Sequence, residues 1–146
     1  MEDLVKERTV NATRSEVWRA FTTAEGLKGF FAPDAHMELR LDGPYELYFL
    51  QDVEPGSRGS EGCKVLSFLE GEMLSFTWNA PPQFVEERGQ HTFVVLQFYD
   101  AENGGTRVKL SHSGWREGGR WEEVRDYFDG AWDKVLDWLE EYLSEV

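Results

Sequence analysis

"GGRWEEVRDYFDGAWDKVLDWLEEYLSEV", residues 118–146, is the stretch from which the rest of the chain is read. At about 100° per residue, Trp121, Val124, Phe128, Ala131, Trp132, Val135, Leu136, Leu139, Tyr142 and Leu143 fall along one broad stripe. The opposite face carries Glu122, Glu123, Asp126, Asp129, Asp133, Asp137, Glu140 and Glu141. Water wets the charged side, so the aromatic side must press against something else. The spacing therefore predicts one long amphipathic helix. Gly118 and Gly119 punctuate its start, and Glu122 and Glu123 occupy the first turn, where exposed amides and the helix dipole favour negative charge. Gly130 lies on the wet side and costs roughly 1 kcal/mol against alanine, too little to break so strong a pattern.

The surface that receives the stripe is sought upstream. "LVKERTV" is rich in strand formers, and "TRSEVWRAFT" then changes to helical spacing, with Thr13 or Ser15 available as its cap. "AEGLKGFFAPDA" has room for a short helix before Pro33, whose fixed φ and missing amide hydrogen stop it. From there to about Gly114 the chain reads as strands and turns. "HMELRL" and "YELYFL" flank the turn "DGP", "CKVLSFL" and "MLSFTW" flank "EGE", and "TFVVLQFY" and "TRVKLSHSGW" flank "DAENGG", each short gap favouring an antiparallel pair. "EPGSRGSEG" and "NAPPQFVEERGQ" read as loops. The plan is a strand, two helices, about six antiparallel strands and one long helix, an α+β arrangement. A sheet with one wetted face needs its other face covered, and the terminal stripe is the large apolar cover available.

The totals fit one domain over residues 1–146, with 40% hydrophobic and 29% charged residues. No apolar run approaches the roughly 20 residues of a membrane span, and "MEDLVKERTV" lacks a secretory apolar core, so a cytoplasmic location without membrane insertion is expected. Cys63 is the single cysteine, which rules out an internal disulfide, and it reads as a small, partly buried apolar residue. A net charge of −13 repels phosphate backbones, so nucleic acid is not an expected partner.

This order of elements resembles the helix-grip fold of the START-like (SRPBCC, birch-pollen-allergen-like) superfamily, in which a curved antiparallel sheet of about six to seven strands wraps a long C-terminal helix. "RTVNATRSEVWRAFTTAEGLKGFFAPDA" is similar to the opening segment of the activator of heat-shock protein 90 ATPase homologue-like family, with Phe30 where tryptophan is usual. "LDGPYEL" is similar to its glycine-rich turn, with Asp42 in place of the first glycine, and "EMLSFTWNAP", "GGTRVKLSHSGW" and "GAWDKVLDWLEEYL" match later words in the same order. The likeness runs from about Val5 to Leu143. It implies an architecture and a family more directly than an activity, because the fold hosts carriers, receptors and cyclases alike.

The resemblance also implies a cavity between helix and sheet. Alternation turns Tyr45, Leu47 and Phe49 to one face, as it does Leu74, Phe76 and Trp78, then Val94, Leu96 and Phe98, then Val108, Leu110 and His112. In "CKVLSFLE", Lys64 and Glu70 favour an inward Cys63, Val65, Ser67 and Leu69, although this strands Leu66 and Phe68 outside. Such a lining suits a small hydrophobic or amphipathic molecule, with Trp18, Phe21, Phe31, Tyr45, Trp78, His112, Trp115, Trp121, Arg125 and Phe128 as candidate ligand-binding residues. Residue types alone do not separate a cavity from close packing. Arg125 either clamps a ligand carboxylate or packs its stem at the stripe edge, and His112 either meets a ligand or bonds to its neighbours.

Three function classes follow. The first, a non-enzymatic binding module, needs no cofactor. The second, implied by the resemblance, is contact with a chaperone; since the chain begins directly at the first strand, it is expected to lack the extra N-terminal domain that makes the principal chaperone contact, so strong ATPase stimulation is not expected. The third is a cyclase or hydrolase with His112 as general base. It ranks below the binding module, because no nucleophile elbow, phosphate loop or dinucleotide fingerprint occurs and His36, His91 and His112 lack metal-ligand spacing. The acids of the terminal helix read as a solvated face. The sequence does not fix the oligomeric state, which is expected to be a monomer or a weak dimer.

Overall fold

The computed structural model describes residues 1–144; Glu145 and Val146, the end of the expected domain, lie outside the described residues. The elements run β1 (Leu4–Val10), α1 (Arg14–Thr22), α2 (Ala24–Phe30), β2 (Asp34–Met37), β3 (Tyr45–Tyr48), β4 (Val65–Leu69), β5 (Met73–Trp78), α3 (Val85–Arg88), β6 (Thr92–Asp100), β7 (Thr106–Ser113) and α4 (Trp121–Ser144). This is the expected α+β order: antiparallel sheets, two short helices after the first strand, and a long C-terminal helix against the sheet.

Local chemistry explains the boundaries. The Thr13 hydroxyl accepts the Glu16 amide hydrogen at 3.2 Å and caps α1, and the Thr23 hydroxyl does the same for α2 through Gly26 at 2.9 Å. Gly26 allows the two helices to meet, since a Cβ there would stand 2.6 Å from the carbonyl oxygens of Arg19 and Ala20. One addition to the expected plan is the single turn α3, inside a segment read as loop. The predicted strand over "HMELRL" begins earlier and ends at Met37, after which residues 38–44 form the turn.

Five strands pair in the order β1-β7-β6-β5-β4, and β2 pairs with β3 in a second sheet. Bridges Pro44↔Lys64 and Tyr48↔Gly59 carry β3 alongside the chain leading into β4, so the second sheet extends the curve of the first. Alternation places Leu74, Phe76 and Trp78, Val94, Leu96 and Phe98, and Val108, Leu110 and His112 on the buried face. The expectation for β4 is corrected after its first residues. Cys63 and Val65 are fully buried, but a register shift between Val65 and Ser67 reverses the strand's faces. Phe68 then packs on the core while Leu66 and Leu69 are exposed.

The α4 stripe covers this concave face. Val124, Trp132, Leu136 and Leu139 are almost wholly buried, each contributing about 1.5–3 kcal/mol by leaving water. Its acidic side is only partly the solvated face expected from the sequence. Lys6 reaches Asp129 at 2.6 Å and Asp133 at 3.2 Å, and Arg8 reaches Asp137 at 2.8 Å and Glu140 at 2.9 Å. Lys6 and Arg8 occupy the inward face of edge strand β1, so these ion pairs continue the helix–sheet contact beyond the apolar core. Among the described residues no helix is long and apolar enough to cross a membrane.

Candidate functional site

Between α4, the ends of β3 and β5 and the loop before β4 lies a cavity of about 500 Å³. Its floor is a triangle of rings, Phe31, Trp78 and Trp132, with centroids 5.7 to 6.0 Å apart. All three are nearly buried. Around them Phe49, Tyr127 and Trp138 are 38%, 46% and 44% exposed, so the cavity opens to solvent as an aromatic-walled cleft. Not every aromatic residue of the terminal helix is therefore taken up by the sheet. The helix makes one wall through Phe128, Ala131 and Val135, and Gly130 thins that wall by lacking a side chain.

The other wall depends on the loop of residues 49–62, which has no regular structure and is held from within. The Glu61 carboxylate accepts the amide hydrogens of Gly56, Arg58 and Gly59, the last at 2.7 Å. Burial opposes its charge, yet those amides hold its carboxyl below the usual range. Arg88, from α3, donates to the carbonyls of Ala80 at 2.6 Å and of Gly56 and Gly59 at 2.7 Å, and pairs with Glu61 at 3.4 Å. The fork of one guanidinium thus fixes the loop to the end of β5.

Of the residues expected to bind a ligand, Phe31, Trp78 and Phe128 line the cleft. The others stand elsewhere. Trp18 and Phe21 pack on Phe98 beneath α1, and Tyr45 stacks on Phe76 while its hydroxyl donates to the Phe21 carbonyl at 2.8 Å. Trp121 is buried in the core below Arg116. Trp115 lies over the His112 ring and donates to the His112 carbonyl at 3.0 Å. Arg125 leaves the stripe to donate to the carbonyls of Glu2 and Asp3, tying the N-terminus to α4.

His112 is fully buried and lies outside the cleft. Its Nδ1 accepts from the Trp132 indole at 3.0 Å, and its Nε2 faces the Thr92 hydroxyl at 2.7 Å. Burial pushes the imidazole down to about 3. With both nitrogens occupied and no solvent access, the ring bonds to its neighbours, the second of the two roles that the sequence leaves open, and it has no free nitrogen to serve as a general base. Cys63 is likewise sealed, its thiol pushed up to about 12 by burial. Among the described residues no cluster of three or more His, Cys, Asp or Glu is placed to hold a metal ion.

Further side chains of the cleft are not among the expected ligand-binding residues. Trp132 and Phe49 belong to inward patterns, whereas Tyr127, Lys134 and Trp138 fall beside the stripe. For Tyr127 and Trp138 the available signal is an aromatic ring at the border of an amphipathic face, where the cover overhangs the sheet.

Solved structures resemble the whole chain. Protein MLL2253 from Mesorhizobium loti superposes with a TM-score of 0.80 at 19% identity, covering 99% of this chain and 98% of that one. The Aha1 dimer from Colwellia psychrerythraea gives 0.71 at 20% identity, with coverage of 98% and 96%. CalU16 from Micromonospora echinospora also gives 0.71 at 20% identity, covering 97% of this chain and 76% of that one. At these identities the likeness is one of fold. No curated protein matches the chain in sequence. The model of the family described as "Activator of Hsp90 ATPase homolog 1-like protein" matches residues 11–144. The chain therefore belongs to the Activator of Hsp90 ATPase homolog 1-like family.

Proposed function

We propose that the protein binds a small hydrophobic or amphipathic molecule in the aromatic cleft between α4 and the sheet, without catalysis. The observation that carries this reading is the ring of partly exposed side chains, Phe49, Tyr127 and Trp138, around the floor of Phe31, Trp78 and Trp132. Exposed apolar rings cost free energy in water, and a guest that covers them recovers it. The cavity of about 500 Å³ falls within the roughly 300–1,000 Å³ usual for small-molecule sites.

The test is a titration with a neutral fluorescent probe, N-phenylnaphthylamine, followed by probe enhancement and tryptophan quenching. A saturable response is expected in the wild type. Its loss is expected in Ala131→Trp, which fills the cleft from a half-buried wall position. Absence of a saturable response in the wild type overturns the reading.

A second reading, contact with a heat-shock protein 90 chaperone, is supported by the description of the family. Stimulation of the chaperone's ATPase by the purified chain, equal in wild type and Ala131→Trp, is the outcome that would place this role ahead of ligand binding.

A further inference from the structure

We propose that the ligand of this cleft carries an anionic head group on an apolar body, and that Lys134 receives the head. The inference rests on the reading of the cleft as a ligand site and names the class of molecule. The chain has 28 acidic residues against 15 basic ones. Among the described residues that line the cleft, none is an Asp or Glu, while Arg88 and Lys134 are both cations. A cleft lined by two cations, one of them paired with Glu61, and by no carboxylate is thus set into a protein of net charge −13.

The two cations differ in what they already hold. Arg88 is committed to three carbonyls and to Glu61. Lys134 is exposed and forms no ion pair among the described residues. Helix geometry gives the reason. Partners on a helix stand three or four positions away, and for Lys134 these are Gly130, Ala131, Asp137 and Trp138. Gly130, Ala131 and Trp138 all line the cleft. Asp137, the one carboxylate, pairs instead with Arg8 of β1 at 2.8 Å.

The ammonium is left at the rim of an apolar hollow, where a guest's tail covers the aromatic floor and its head meets the charge. A lysine is a compact point charge with rotatable donors, so carboxylate, sulfate and phosphate heads all satisfy it. Binding by calorimetry of decanoate, decyl sulfate, decanol and decylamine, all below their micelle concentrations, tests this. The two anions are expected to bind about tenfold more tightly than decanol, the gain of one charge-assisted hydrogen bond, and decylamine most weakly. In Lys134→Met, with an unchanged near-ultraviolet circular dichroism as the check that the fold is kept, the anions are expected to lose their advantage over decanol measured in the same variant. Equal binding of decanol and the anions, tight binding of decylamine, or an anion advantage that survives in Lys134→Met overturns the inference while leaving the cleft a ligand site. Failure of all four compounds to bind removes the ligand-site reading and this inference with it.

Discussion

Trp132 and His112 meet across the interface of helix and sheet, the indole Nε1–H donating to His112 Nδ1 at 3.0 Å. An indole only donates, so the neutral imidazole carries its hydrogen on Nε2 and donates it to Thr92 Oγ1 at 2.7 Å. The Thr92 hydroxyl in turn donates to the Trp78 carbonyl at 3.4 Å. Trp78 and Trp132 are both floor residues of the cleft, so this buried chain of hydrogen bonds ties α4 to β5, β6 and β7 beneath the site. Its members are fully satisfied, which is the condition under which a buried polar network specifies one packing.

The network has a pH signature. Burial lowers His112 from 6.5 to about 3, so the folded ring stays neutral where an unfolded histidine takes up a proton. Its contribution to stability is complete above about pH 6.5 and is lost as pH falls toward about 3. Between those values the loss approaches about 1.4 kcal/mol per pH unit. Urea denaturation of the wild type and of His112→Gln at about pH 7, 6 and 5 is expected to show this slope in the wild type only. The variant starts about 1–3 kcal/mol lower at neutral pH, because Trp132 and Thr92 lose their partner. Parallel slopes in the two proteins would contradict the assignment.

Arg88 holds the loop wall of the cleft through geometry as well as charge. Arg88→Lys keeps the charge but cannot reach the Ala80, Gly56 and Gly59 carbonyls together, as the fork does. The expected cost is on the order of 2 kcal/mol, with faster amide exchange at Gly56, Arg58 and Gly59. Hydrogen-exchange mass spectrometry checks this. Protection unchanged in that loop would show that Glu61 alone fixes it.

Gly26 offers a test by sign. Glycine to alanine within a helix is ordinarily a gain of about 1 kcal/mol. Here the added Cβ meets the backbone oxygens of Arg19 and Ala20 at 2.6 Å, and neither can swing away. Gly26→Ala is therefore expected to destabilise by about 1–3 kcal/mol, the usual range for overpacking, with the midpoint of urea unfolding as the readout. A raised midpoint would mean that α1 and α2 part without cost.

Much of the fold was legible because its signals are local. The period of α4, the Thr13 cap, the halt before Pro33 and the alternation in β5, β6 and β7 each depend on residues a few positions apart. Strand β4 departs from simple alternation after Val65 because one unpaired residue inverts the later side chains, and the pairing with β5 that accommodates it is not written in β4 itself. The sequence leaves Arg125 open between a ligand clamp and a stem at the stripe edge, because a helical wheel does not show that the N-terminal backbone passes within its reach.

The sequence by itself determined that a tryptophan-rich amphipathic helix would close over an antiparallel sheet, since hydrophobic periodicity and the need to cover apolar surface act through short stretches of chain. Only the tertiary structure decided which rings fill the core and which surround a cleft. Trp121 and Tyr45 became packing, while Phe49, Tyr127 and Trp138 became rim. The difference lies in how far the sheet curves and where the loop held by Arg88 comes to rest. Both are set by contacts between residues distant in sequence, so no local pattern encodes them.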